Sequence, residues 1–217
     1  LDCVDRPHTH TDTSRALTSG ERAIVRRMFG GAVDADRVRV FARCYLPFGL
    51  QPRGTAMAPD GAIYFHPTRF RGDFADPARP GAQRWFVHEM THVWQHQLGF
   101  PVKWRGAVRL GLSYDYALRD GARLGDFDME AQGEILADAF VLGVLGRPEF
   151  VAQAEHRRDP LHAVRLDALM RDFLRDPGDR RHLPALSRGW QALARVIPAL
   201  GCAPSGELLR GSRRRPG

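Results

Sequence analysis

The chain has 217 residues, 43% of them hydrophobic, enough for one sizeable core with a small appended part. No apolar run reaches the roughly 18 residues that would cross a bilayer as a helix, and the opening stretch LDCVDRPHTHTDTS lacks the pattern of a secretory signal. The net charge of +7 is no strong argument for a nucleic-acid partner, because the arginines are scattered except in the tail RGSRRRPG.

Residues 1–16 read as a flexible N-terminal segment. In LTSGERAIVRRMFGG (17–31), Ala23, Ile24, Met28 and Phe29 are spaced for one helical face, with Ser19 or Thr18 to cap the start and Gly30-Gly31 to end it. RVRVFARCYLP (37–47) alternates Val38, Val40, Ala42 and Cys44 with Arg37, Arg39, Phe41 and Arg43, the period of a strand. GTAMAPDGAIYFHP (54–67) reads as two short strands around Pro59-Asp60-Gly61, which gives a small antiparallel sheet of about three strands and an edge along which an extended peptide could lie. Residues 68–81 are a loop rich in Pro, Gly and Arg. A helix is expected from Gln83 to Leu98, stopped by Gly99 and Pro101.

Residues 101–126 show no long period and read as an inserted loop. A second helix runs from about Met129 to Leu145, before Gly146 and Pro148. Beyond it, FVAQAEHRRDPLHAVRLDALMRDFLRD and LPALSRGWQALARVI look helical and amphipathic, joined by a polar linker at 176–183. The expected organisation is therefore a domain over 17–147, a helical extension over 148–204 packed on that domain, and a disordered basic tail over 205–217. Helix, small sheet and further helices argue an α+β fold with a mainly helical C-terminal part. Cys3, Cys44 and Cys202 are odd in number and in no CxxC spacing, so neither a disulfide framework nor a cysteine zinc site is suggested, and a reducing compartment fits best.

The stretch FVHEMTHVWQHQ (86–97) carries the chemistry. His88 and His92 are four apart on the expected helix, so their imidazoles share a face and both reach one ion at about 2 Å. Glu89, adjacent to the first histidine, is placed to take a proton from a zinc-bound water, the general-base role in HExxH. The bland alternative is two hydrogen-bonded histidines in a polar seam. His96 lies about 12 Å along the axis from His88 and cannot share their ion. The third ligand should come from the second helix, where Glu130, Glu134 and Asp138 in FDMEAQGEILADAF form one stripe that a cation would neutralise. Glu134 is preferred and Glu130 competes with it; Asp138, one turn beyond Glu134, would orient His88 or His92. Tyr116 or Tyr114, in SYDYAL, would stabilise an oxyanion opposite Glu89, although simple aromatic packing accounts for them as well. His66 reads as a loop residue or a substrate contact.

HEMTH followed by EILAD resembles the zincin metallopeptidases of the gluzincin kind. That resemblance implies a zincin-like unit, a sheet packed on the HExxH helix, with one Zn2+ held by His88, His92 and Glu134 and with Glu89 as base. More narrowly, LTSGERAIVRRMFGGAVDADRVRV, GTAMAPDGAIYFHP, FVHEMTHVWQHQ and YDYAL are similar to bacterial proteins labelled Vgr-related, a label tied to type VI secretion and Rhs-type toxin systems. The expected function is a zinc metallopeptidase acting on a peptide or protein substrate, located in the cytoplasm or exported by a contact-dependent secretion system. The alternative is a catalytically weak or inactive zincin-fold binding module with a secretion-system partner, and an arginine-driven nucleic-acid binder is a distant third.

Overall fold

The computed structural model describes residues 14–48, 50–107 and 112–185. The chain forms β1 (Ser14–Ala16), α1 (Ser19–Phe29), β2 (Arg39–Phe41), β3 (Ala56–Met57), β4 (Ile63–Phe65), α2 (Pro80–Gln97), α3 (Val102–Ala107), α4 (Met129–Gly143), α5 (Ala154–Arg158) and α6 (His162–Arg175). The fold is α+β, a small sheet with several helices. The helical reading of LPALSRGWQALARVI, the remainder of the extension to 204 and the tail 205–217 fall, from residue 186 onward, outside the described residues.

The sheet differs from expectation in two ways. It has four strands in the order β1-β2-β4-β3, and it is mixed: β2 runs parallel to β4, with Val40 opposite Ile63, while β1–β2 and β3–β4 are antiparallel. The hairpin at 54–67 forms as expected around Gly61, whose φ of 86° is open to glycine. Its second strand nonetheless enters the sheet beside β2, which sends β3 to the outer edge. The extra strand, β1, lies at 14–16, where the sequence suggested flexibility; three residues carry too little alternation to register as a strand. β2 is likewise only three residues long because the partners on both sides are no longer.

β4 is one of the two inner strands and is buried on both faces. Ile63 and Phe65 are fully enclosed, and Phe65 stacks on Phe74 at 4.1 Å and meets Trp85 of α2 edge-on at 5.0 Å. On the other face Tyr64 stacks on Phe41 at 4.8 Å.

The helices follow their local signals closely. Thr18 caps α1 in a capping box with Glu21, and Gly30 terminates it. The buried face of α1 is Val25, Met28 and Phe29, with Ile24 at its margin; Ala23, expected in that face, is exposed. α2 begins at Pro80, three residues before the expected start, because a proline in the first turn lacks only an N–H that has no helical partner there. Gly99, with φ of 89°, ends it. Asp128 caps α4 by accepting from the Glu130 and Ala131 amides.

α2 is packed between the sheet and α4, which explains why residues 86–95 are all buried, the polar ones included. Its Trp94 sits among Phe29 of α1 and Phe173 of α6, at 6.3 and 5.4 Å between ring centroids, and donates from Nε1 to the Pro177 carbonyl. Hydrophobic burial thus joins three helices at one indole.

Candidate metal centre

His88, Glu89 and His92 project from the middle of α2 toward α4, and all three are buried. A spacing of four residues sets the imidazoles one turn apart, with ring centroids 5.0 Å apart and planes at 83°. From α4, Glu130 reaches the gap between them: its Oε2 is 3.4 Å from His88 Nε2 and 3.3 Å from His92 Nε2. Among the described residues these three form one of two groups of potential metal ligands.

The structure separates the two candidate glutamates. Glu130, not the preferred Glu134, faces both Nε2 atoms. Glu134 lies one turn further along α4, where its Oε1 approaches the opposite nitrogen of His88, Nδ1, at 2.9 Å and its Oε2 pairs with Arg84 at 2.5 Å. The approach to Nδ1 lacks the direction of a hydrogen bond, and that nitrogen has no hydrogen-bond partner. Asp138 is further still from the role expected of it. It orients neither histidine; it accepts from Arg84, Tyr116 and the Ala152 amide.

His92 is oriented by Gln95, whose Oε1 lies 2.9 Å from Nδ1. Because that oxygen can only accept, Nδ1 carries the proton and Nε2 keeps its lone pair toward Glu130. Gln95 is held by the Met129 carbonyl and by Gln132, and Gln132 donates to the carbonyls of Leu124 and His182. Trp85, one turn before Glu89, donates from Nε1 to its carboxylate at 3.1 Å. Gly133 makes room for His88: a Cβ there would stand 2.7 Å from Cε1.

Electrostatically the cluster is tightly coupled. Burial pushes the Glu89 carboxyl up, against the opposing pull of His88 and His92. Burial also opposes ionisation of Glu130, but His92 and His88 outweigh it and hold the carboxyl well below its ordinary range. Glu134 is drawn down to about 2, since His88 and Arg84 overcome the effect of burial. His88 is pushed up to about 10: burial disfavours its charge, and Glu130, Glu134 and Glu89 overcome that.

A metal passes two tests of fit. Two ligand bonds of about 2.0 Å at the tetrahedral angle place donor atoms about 3.3 Å apart, which matches the spacing of Glu130 Oε2 from both imidazoles. The donors are two imidazole nitrogens and one carboxylate oxygen, a set suited to zinc.

The remaining candidates fall away from this cluster. Tyr116 is buried, with its hydroxyl donating to Asp138 Oδ2 at 2.8 Å, so it is committed to a carboxylate outside the cluster. Tyr114 is the tyrosine whose ring stacks near His88, at 6.0 Å. His96 packs against the Gly61 turn, and His66 contacts Thr68. Sequence reasoning missed Arg84, Trp85 and Gln95, although each is three or four residues from a motif residue on the same helix, a spacing that places side chains together. Gly133 left no such signal, because its role depends on a neighbouring helix.

Fold and site together define the class: an α+β domain whose α2 and α4 bring two histidines and a glutamate together. No family model matches the chain. It is 40% identical over 138 residues to the type VI secretion system spike protein VgrG2b of Pseudomonas aeruginosa, a match covering 60% of this chain and 13% of that protein. The chain therefore corresponds to a small part of that relative's length. Among solved structures it matches the effector domain of Pseudomonas aeruginosa VgrG2b with a TM-score of 0.56 and 30% identity, over 79% of this chain and 87% of that one. The chain belongs to the family of the VgrG2b effector domain.

Proposed function

We propose that this chain is a zinc-dependent peptidase serving as an effector domain in a type VI secretion context, with His88, His92 and Glu130 as ligands in place of the expected Glu134. The observation that carries the reading is the position of Glu130 Oε2, 3.4 and 3.3 Å from the two Nε2 atoms, with Glu89 one residue from His88. A bound zinc supplies Lewis acidity, which polarises a substrate carbonyl and makes water a stronger acid. Glu89 accepts the proton of the attacking water and passes it to the departing amine. Its burial raises its proton affinity, which suits that exchange, and the Trp85 N–H fixes one carboxylate oxygen. Gln95 fixes the tautomer of His92, while Arg84 holds Glu134 beside His88 Nδ1. The family membership supports the secretion context; the peptidase chemistry rests on the site alone.

The second reading is a binding module that uses a metal for stability. It is favoured by the similarity to a type VI secretion system spike protein and to that protein's effector domain. Metal analysis with digestion of a peptide library separates the two. Under the peptidase reading Glu89→Gln retains zinc and loses at least about 100-fold in cleavage; equal cleavage by the variant, or none by the zinc-loaded wild type, favours the binding module.

A further inference from the structure

Beside the candidate centre, on the same α4, lies a second, largely buried group of donors that the proposed chemistry does not use. Asp138 comes from α4, His156 from α5, and His162 opens α6; their ligand atoms all lie within 4.8 Å of one another. Tyr116, from the segment before α4, places its hydroxyl 2.8 Å from Asp138 Oδ2 and 3.3 Å from His162 Nε2. The two imidazoles stack with centroids 4.1 Å apart and planes at 13°.

His156 Nε2 is 2.8 Å from the Tyr116 main-chain carbonyl. A carbonyl oxygen only accepts, so Nε2 carries the proton, and in the neutral ring Nδ1 is a lone pair. That Nδ1 is buried without a hydrogen-bond partner, on a side chain only 9% exposed, and it faces Asp138 Oδ2 at 4.0 Å. A buried acceptor beside a buried carboxylate has no donor between them and is costly to leave so. A cation between them satisfies Nδ1, while Asp138 Oδ2, which already accepts from Tyr116, binds it through a remaining lone pair. The imidazole whose far N–H is held by a main-chain carbonyl is also the usual arrangement of a metal-ligating histidine. The 4.0 Å separation exceeds by under an ångström the spacing of about 3.3 Å that tetrahedral zinc requires.

We infer that Asp138, His156 and His162, with Tyr116 as the adjacent oxygen donor, form a second divalent-cation site, closed by protein groups and separate from the one at His88 and His92. Two imidazoles, a carboxylate and a phenol suit zinc, and four protein donors mark a structural site. Such an ion pins α5 and α6 to α4. The inference does not depend on peptidase activity.

The test is zinc stoichiometry of the chelator-stripped chain after equilibration with excess Zn2+ and removal of the unbound ion. Wild type is expected to hold two zinc ions per chain, His156→Ala/His162→Ala one, and His88→Ala/His92→Ala one. In the last variant the remaining zinc should raise Tm, a readout independent of catalysis. A single ion in wild type that disappears with His88→Ala/His92→Ala overturns the second site and leaves the proposed ligands standing. A single ion that survives that change and is lost with His156→Ala/His162→Ala does the reverse. No bound zinc in wild type overturns both. Should the alanine pair fail to fold, by circular dichroism, His156→Gln is measured instead, and retention of two ions by that folded variant also counts against the site.

Discussion

His88 rests on the backbone of α4 because residue 133 has no side chain: a Cβ would stand 2.8 Å from Nδ1 and 3.0 Å from Nε2 as well as crowding Cε1. Alanine elsewhere in a helix gains about 1 kcal/mol over glycine. Here Gly133→Ala is expected to push the imidazole out of line and weaken zinc binding by at least about 10-fold, with helicity unchanged, as measured by competition with a chromophoric chelator. The same histidine predicts the pH dependence. With its metal-free pKa raised to about 10, zinc must displace a proton, so apparent affinity should climb by up to about tenfold per pH unit until about pH 10. Calorimetry in buffers of different ionisation enthalpy would detect the released proton. In the metal-free chain the raised pKa works the other way: the protonated ring stabilises the fold fully below about pH 6.5, and that contribution is lost as pH rises through about 10. At this scale the sequence made His88, Glu89 and His92 legible through spacing alone. Its preference for Glu134 over Glu130 had no decisive ground, because residues four apart share a stripe and only the offset of α2 against α4 decides which one meets the Nε2 atoms.

Between elements, the contact that matters most is α2 against α4, and Arg84 is its electrostatic fastener. Its guanidinium reaches Glu134 at 2.5 Å and Asp138 at 2.7 Å, and Asp138 is wholly buried. Arg84→Ala leaves two carboxylates without their cation and is expected to cost about 3–5 kcal/mol, read from urea unfolding. Arg84→Lys should recover only part of this, because an ammonium lacks the fork that engages both acids. The helices themselves were readable from their ends: Thr18, Gly30 and Gly99 all act as the local code suggests. The sheet was not. Strands of two or three residues have no room for a period, and the parallel pairing of β2 with β4 is a long-range choice that neither strand encodes.

Across the whole described body, Trp94 links parts of the chain that are far apart in sequence: α1 through Phe29, α6 through Phe173, and the turn at Pro177 through its N–H. Trp94→Ala is expected to lose about 3–5 kcal/mol and to lower Tm for the fold as a unit, a single cooperative transition being retained. Composition and patterning indicated an α+β domain with helices toward the C-terminal side, and His156 and His162 passed unnoticed because nothing in their local sequence announces a partner on α4. Gln132 shows what such distant joining entails. Its amide is shared between the carbonyls of Leu124 and His182, and through Gln95 it fixes the ring of His92. A ribosome delivers position 92 long before position 182. The pocket's final alignment therefore waits for a residue ninety places downstream, which makes competence for metal depend on synthesis through at least position 182.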